Sequence, residues 1–515
     1  MSESPTVEEP KEVEARKSSY GSILKSSSIL GGSQALTYGM GLLRTKAAAL
    51  LLGVNGIAMI GLFNSVIGFS ATLSAMGLRN SAVREIAQAR ASGDGTTLFE
   101  LQVSVRRLAV LLGCIGALTL AILAPIFSRL VFGDNEYSVG IALLGGVLVL
   151  NGLHVTHSSI LQGSRRIKNL AQVSILGAIL GGICAVLLYA IFGQAGIVPA
   201  LITIAMINAC VSGWFVRVTW GQGASVAWRT SKKYWKGLLA VGSAVAWGEM
   251  LAQLVPLFAK SLIARELGFE QAGLYIAAWA ISGMLASFIL RAISADYYPR
   301  LCAVSQDPEK MNLLANEQIE VGVLLVLPAL LFAVAFATPI FDLLYSKDFG
   351  GAAILLPWLL FGTMGRIVNF PMDMIVLALG KSQAFAFVQS VSVIMHIAWV
   401  VFLFWIGGLV GVAIAFAVHN WVRNFIFLRY YRRYGFERSN VLNKIIIFST
   451  LLLAVAMMLN DRMSGSGLYY TLAACLVIGG GIFSLRELLL RVDGHPLVEK
   501  IKLKVPGWIM GLILK

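Results

Sequence analysis

The chain is a succession of apolar runs, each long enough to cross a bilayer, separated by short polar connectors. A helix needs about 20 mostly apolar residues to span the hydrocarbon core. Fourteen runs meet that length: 23–52, 57–80, 103–132, 138–162, 169–193, 195–217, 237–265, 271–297, 318–345, 351–379, 382–406, 408–428, 443–459 and 469–485. Inside lipid every backbone N–H and C=O must be satisfied within the protein, so runs of this length must be helices. Charge agrees with that reading. Only 13% of residues are charged, where a soluble domain carries about 25%. The expected fold class is an all-α polytopic membrane protein of about 14 transmembrane helices.

The position of the cations orients the chain. Of 41 Lys and Arg residues, 31 fall in the two tails and the even-numbered connectors, and only Arg265, Lys347 and Arg462 in the odd-numbered ones. Cytoplasmic loops collect Lys and Arg, so both termini are expected in the cytoplasm. The net charge of +15 is then mostly a topology signal and implies no nucleic acid partner. Residues 1–22 read as a polar, disordered cytoplasmic tail without a cleavable leader. Residues 486–515 read as a cytoplasmic tail with an interfacial helix at 497–515. The five cysteines form no spaced framework and read as free thiols.

Two halves of the chain look alike. Leu52-Gly53, Gly61-Leu62-Phe63, Ala124-Pro125-Ile126-Phe127, Leu161-Gln162-Gly163 and Gly196-Ile197-Val198 recur in order as Leu267-Gly268, Gly273-Leu274-Tyr275, Thr338-Pro339-Ile340-Phe341, Ala378-Leu379-Gly380 and Gly411-Val412-Ala413, at offsets of 215, 212, 214, 217 and 215. Six helices per repeat is an even number, so both repeats enter the membrane from one side. The expectation is an N-lobe over 23–217, a cytoplasmic linker over 218–236, a C-lobe over 237–428 in parallel pseudo-two-fold repeat, and an accessory pair over 443–485.

Seven cations lie within apolar runs: Arg44, Lys46, Arg129, Lys260, Arg291, Arg366 and Arg423. A charge at the bilayer centre costs about 2.5–3.5 kcal/mol on insertion scales and marks a wet cavity or a partner. Arg44, Lys46, Lys260, Arg291 and Arg366 are the candidates for a cavity that holds an anionic headgroup, because guanidinium forks match phosphate oxygens. Arg129 and Arg423 lie near span ends, where snorkelling or a salt bridge explains them. Lys46 and Lys260 precede Gly53 and Gly268 by seven and eight residues, which suggests equivalent places in the two lobes. Glu249 and Asp373 are the candidates for ion coupling, by H+ or Na+, or for structural pairing with one of these cations. His154 and His157 share a helix face, but no third ligand stands near, so no metal is expected. No nucleotide-binding Gly-rich loop, zinc spacing or catalytic cluster is visible, and no cofactor or enzymatic activity is expected.

Five strings stand out: Arg44-Thr45-Lys46 running into Leu51-Leu52-Gly53, Gly273-Leu274-Tyr275 with Trp279, Asp296-Tyr297-Tyr298-Pro299-Arg300-Leu301, Asn316-Glu317-Gln318 and Leu343-Leu344-Tyr345-Ser346. They resemble the polysaccharide-exporting branch of the MOP superfamily, the O-antigen translocase (Wzx-type) flippases of lipid-linked oligosaccharides. The likeness covers about residues 23–435. It implies a two-lobed helical fold in the bacterial inner membrane that works by alternating access. The implied substrate is an undecaprenyl-diphosphate-linked glycan moved from the cytoplasmic to the periplasmic leaflet, with membrane lipids and other polysaccharide-assembly proteins as partners. Asp373 and the pair at 443–485 depart from the family pattern.

Other functions fit less well. A MATE-type exporter of cationic drugs favours acidic cavity residues, whereas the buried charges here are mainly cationic. Residues 79–95 lack the loop pattern of major facilitator transporters. A membrane glycosyltransferase or polymerase needs a large external loop, and the outward connectors here reach only about a dozen residues.

Overall fold

A computed structural model describes residues 9–217, 226–463 and 467–491, apart from the side chains of 9–30, 240–245, 288, 291–296, 462–463 and 467. The interfacial helix expected at 497–515 lies outside the described residues. The chain divides into two compact units, one of residues 1–56 and 62–253, the other of residues 57–61 and 254–515.

The first unit is built from α1 (Glu9–Ala75), α2 (Leu78–Ala91), α3 (Gly95–Phe132), α4 (Ser138–Leu143), α5 (Gly145–Gly163), α6 (Ile167–Phe192) and α7 (Ile197–Arg217). Then follow α8 (Trp228–Glu266), α9 (Phe269–Ala303), α10 (Pro308–Ala335), α11 (Ala337–Leu344), α12 (Ala352–Ala378), α13 (Ser382–Tyr431), α14 (Asn440–Met463) and α15 (Gly467–Arg491). Among the described residues, nine helical stretches are long and apolar enough to cross a membrane, and three of them run for 45, 51 and 53 residues. At 1.5 Å per residue each of these three is about two bilayers long, and each breaks at a positive-φ glycine. The breaks are Gly53, Gly193 and Gly408. They fall where the sequence separates its paired spans.

These glycines also expose the repeat. Gly193 has φ 57° and ψ −134°, and Gly408 has φ 55° and ψ −131°. A Cβ on Gly196 would meet the Leu188 carbonyl oxygen at 2.3 Å, and one on Gly411 would meet that of Leu403 at 1.9 Å. Gly53 and Gly268, with φ of 68° and 88°, are another such pair. Every partner stands 215 residues on. The helix end after α5 obeys the same offset: Arg165 N–H bonds to Gln162 O and Arg166 N–H to Leu161 O, as Gly380 N–H bonds to Leu377 O and Lys381 N–H to Val376 O. This corrects the sequence alignment, which paired Gly163 with Gly380. The residue equivalent to Gly380 is Arg165, which takes the same left-handed turn at φ 51°. It also moves Lys260 opposite Thr45, one residue away from Lys46.

Two connectors are more structured than the sequence suggests. Between the second and third spans, α2 turns Leu78, Ala82, Ile86 and Ala89 into the core of the first unit, against α3 and α5. Residues 228–236, expected as linker, are the opening turns of α8. They dock on α3, with Arg107 Nη1 bonded to Ser231 Oγ at 2.9 Å and stacked over Trp228. Trp235 Nε1 donates to Ser104 O at 3.1 Å, and Tyr234 to Glu100 at 3.1 Å. Asp94 caps α3 by accepting from the amides of Thr96 and Thr97, and the Thr97 hydroxyl holds its carboxyl below the ordinary range.

In the second unit the terminal pair has a defined seat. Both α14 and α15 pack on α10. Tyr469 donates to Ala335 O at 2.7 Å, and Arg491 Nε lies 2.6 Å from Glu320 Oε2. Two strings behind the family resemblance act as anchors here. Tyr297 is fully buried and donates to Pro371 O at 3.0 Å. Asn316 binds the loop after α13, through Glu437 O at 2.8 Å and Ser439 N at 2.9 Å. The outside of both units is apolar. On α3 alone Ile115, Leu118, Ile122, Ile126 and Leu130 are exposed, as lipid requires and water would not tolerate.

Candidate functional site: uncompensated intramembrane arginines

The seven intramembrane cations separate by their surroundings. Arg129 Nε bonds to Asn135 Oδ1 at 2.8 Å at the end of α3. Arg423 is buried and its Nη2 lies 2.7 and 2.9 Å from the two Asp373 oxygens. Tyr431 also donates to Asp373, and Gln389 Nε2 lies 3.4 Å from it. Asp373 is thus held among donors from α13, with Arg423 rather than Arg366 or Lys260 as its cation. Lys46 and Lys260 are half-buried and both engaged in further contacts. The Arg291 side chain lies outside the described residues, as does that of Asp296.

Arg44 and Arg366 differ from all of these. Neither has a salt bridge or hydrogen bond among the described residues. Arg44 projects from the first half of α1 into a cavity of about 270 Å³ lined also by Thr37, His154, Ser174 and Asn208. His154 Nδ1 lies 3.1 Å from Asn208 O, and His157 Nδ1 lies 3.1 Å from Ser212 Oγ, so the two histidines bind α5 to α7. His154 therefore serves helix contact and cavity wall at once, which its spacing in the sequence could not show. The Arg79 guanidinium stands within electrostatic range of His154 and of the exposed Glu249 carboxylate. The walls of this cavity offer hydrogen-bonding groups and the Arg44 cation, and no carboxylate.

Arg366 sits in the middle of α12. From residue 355 to residue 379 it is the sole exposed position, and the helix around it is buried or half-buried on every face. An exposed arginine on such a helix is a candidate to meet a ligand. The repeat explains why Arg423 is closed and Arg44 is open. At the offset of 215, Asp373, Gln389 and Arg423 occupy the places of Ser158, Ser174 and Asn208 in the first unit. The second unit thus fills its equivalent of the Arg44 cavity with its own ion pair, and has Ala259 where the first has Arg44.

A larger cavity of about 640 Å³ lies between α12 and α14. Trp358, Phe361, Met457 and Met458 line it with Asn460 and Asp461, and no cation faces it. Its chemistry does not suit an anion. No group of three or more His, Cys, Asp or Glu that could hold a metal occurs among the described residues.

A model of the family described as "Polysaccharide biosynthesis protein" matches residues 49–353. The chain belongs to this family. A curated relative, the "Putative O-antigen transporter" of Shigella flexneri, is 23% identical over 376 residues, covering 71% of this chain and 87% of that one. Among solved structures, the lipid II flippase MurJ in an inward closed conformation aligns with a TM-score of 0.68 at 13% identity, over 90% of this chain and 100% of that one. An inward-facing multidrug resistance MATE transporter of the MOP superfamily aligns with a TM-score of 0.64 at 18% identity, over 79% and 95%. A MOP transporter of Pyrococcus furiosus, whose binding pocket is described as of reverse polarity, aligns at 0.59 with 16% identity, over 80% and 95%. These likenesses show the fold, an all-helical one shared with MOP-superfamily transporters. The curated relative and these solved neighbours are described as transporters or flippases.

Proposed function

We propose that this transporter flips an undecaprenyl-diphosphate-linked oligosaccharide from the cytoplasmic to the periplasmic leaflet by alternating access, with both termini in the cytoplasm. The observation that carries this reading is the pair of uncompensated guanidiniums, Arg44 and Arg366, one in each unit of the repeat. An unpaired charge within a span is too costly to keep for packing alone. A diphosphate offers each fork two oxygens and resupplies the missing negative charge. Lys46, Lys260 and Arg291 add positive potential along the route. A cationic drug, the substrate class of a MATE-type exporter, would be repelled by the same groups.

Each guanidinium binds the headgroup while its unit is accessible, and the apolar outer faces leave the lipid tail in the bilayer. Binding energy gained at Arg44 and Arg366 offsets the dehydration of the diphosphate. The test is export in cells that depend on this protein, with Arg44→Gln and Arg366→Gln. Both variants are expected to insert normally, because neither side chain holds a structural bond, and to accumulate lipid-linked glycan in the inner leaflet. Wild-type export in both would refute the proposal.

A further inference from the structure

One polar cluster in the second unit plays no part in the anion reading. His396 and His419, from the two halves of α13 on either side of Gly408, stack with ring centroids 4.2 Å apart and planes 3° apart. Both are buried, at 8% and 5% exposure. Ser392 Oγ lies 3.2 Å from His419 Nε2. His419 Nδ1 is buried and has no hydrogen-bond partner among the described residues. Phe416 closes one side at 5.9 Å from His396, and Trp279 of α9 covers Phe416 at 5.0 Å. Among the described residues, the charged groups in electrostatic range are Arg366 of α12 for His396 and Arg423 of α13 for His419. Arg423 is already neutralised by Asp373 of α12. Arg366 is therefore the uncompensated charge that the pair feels.

The fold does not require these histidines. At the offset of 215 their places in the first unit belong to Gly181 and Ile204, and a Cβ on Gly181 would touch the Ile204 side chain at 3.6 Å. Those two positions are closely packed. In the second unit the crossing instead carries two imidazoles and an orphaned nitrogen, which destabilises the packing.

We propose that the His396–His419 pair is a binding site for a single proton, filled when an anion occupies Arg366. This rests on the reading of Arg366 as an anion site. A hydronium ion gives its proton to a free ring nitrogen; one O–H bond breaks, one N–H bond forms, a water molecule is left, and nothing is oxidised or reduced. With Arg366 bare, a proton on the pair adds a second uncompensated cation to the cluster. With an anion on Arg366, the same proton balances charge. A second proton is excluded, because two unit charges 4.2 Å apart in a buried site repel strongly. Proton and anion thus promote each other's binding, as linkage requires.

The test uses the full chain in detergent micelles, with inorganic pyrophosphate as the probe. Calorimetry in two buffers of different ionisation enthalpy, at about pH 6.5, the value for a free imidazole in water, counts protons taken up per pyrophosphate bound. The comparison variant is His396→Gly with His419→Ile, which copies the packing of the first unit and so preserves the crossing. The wild type is expected to take up about one proton more than this variant and to bind several-fold more tightly near pH 6.5 but not near pH 9. Equal proton counts overturn the proton site. Arg366→Gln separates the two layers. Loss of binding in Arg366→Gln with equal proton counts in the other two proteins overturns this inference alone. Failure of the wild type to bind pyrophosphate, or equal binding by Arg366→Gln, overturns the anion site and this inference with it.

Discussion

Arg423→Ala should destabilise the second unit more than any neutral core substitution of similar size. Arg423 is 7% exposed and Asp373 8%. The guanidinium supplies the two shortest nitrogen contacts of the carboxylate, at 2.7 and 2.9 Å. Without it a buried carboxylate keeps the Tyr431 hydroxyl and a Gln389 amide at 3.4 Å. Breaking a buried pair from one side costs about 3–5 kcal/mol, because a charge is stranded, whereas replacing both partners by apolar groups is often neutral or stabilising by about 1–4 kcal/mol. Asp373→Leu with Arg423→Met should therefore be close to wild type in stability, although Arg423→Ala alone is not. The coupling energy in a double-mutant cycle should lie near the upper end of the usual 0.5–3 kcal/mol range, about 3 kcal/mol. The assay is unfolding of the purified proteins in mixed micelles, titrated with SDS and followed by tryptophan fluorescence, with export measured in parallel. Additive losses would refute the argument that the pair is buried and mutually neutralising. A stable Leu/Met variant that cannot transport would refute its assignment to structure and return Asp373 to ion coupling.

Three further outcomes follow from the same structure. Gly193→Ala and Gly408→Ala place a Cβ in a backbone region reserved for glycine and should each cost about 1–3 kcal/mol, whereas Gly407→Ala, with nothing within 4 Å, should be near neutral in the same micelle titration. Arg491→Ala strands Glu320, which is 8% exposed, and should lower the unfolding midpoint by the equivalent of about 1–3 kcal/mol; an unchanged midpoint would mean that α15 is held on α10 by packing alone. Pyrophosphate at 100 times its dissociation constant should stabilise the wild type by about 2.7 kcal/mol, less at high salt and not at all in the Arg44→Gln/Arg366→Gln double variant.

Sequence patterning carried a long way because lipid leaves so few options. Run length, the 31-to-3 division of cations and the requirement to satisfy backbone groups internally were enough for an all-helical membrane fold. The repeat was legible in strings such as Leu52-Gly53 and Leu267-Gly268, because these helix breaks need glycine at positive φ, whereas the matching breaks at Gly193 and Gly408 emerged only from backbone geometry. Its register was not, because similarity between apolar helices slides by a residue or two until the hinge geometry pins it at 215. The apolar face of α2 was hidden by the charges on its other face.

The sequence by itself determined that seven cations would lie within spans. Tertiary structure decided which of them are spent. Arg423 and Asp373 are 50 residues apart and meet only because α12 packs on α13, so no spacing rule could join them. Arg44 and Arg366 are left open by what their neighbours lack, and absence of a partner is a property of three-dimensional packing. The stacking of His396 on His419 likewise depends on the fold of α13 back on itself at Gly408. Composition sets how many charges enter the membrane; helix packing sets which ones remain for a ligand.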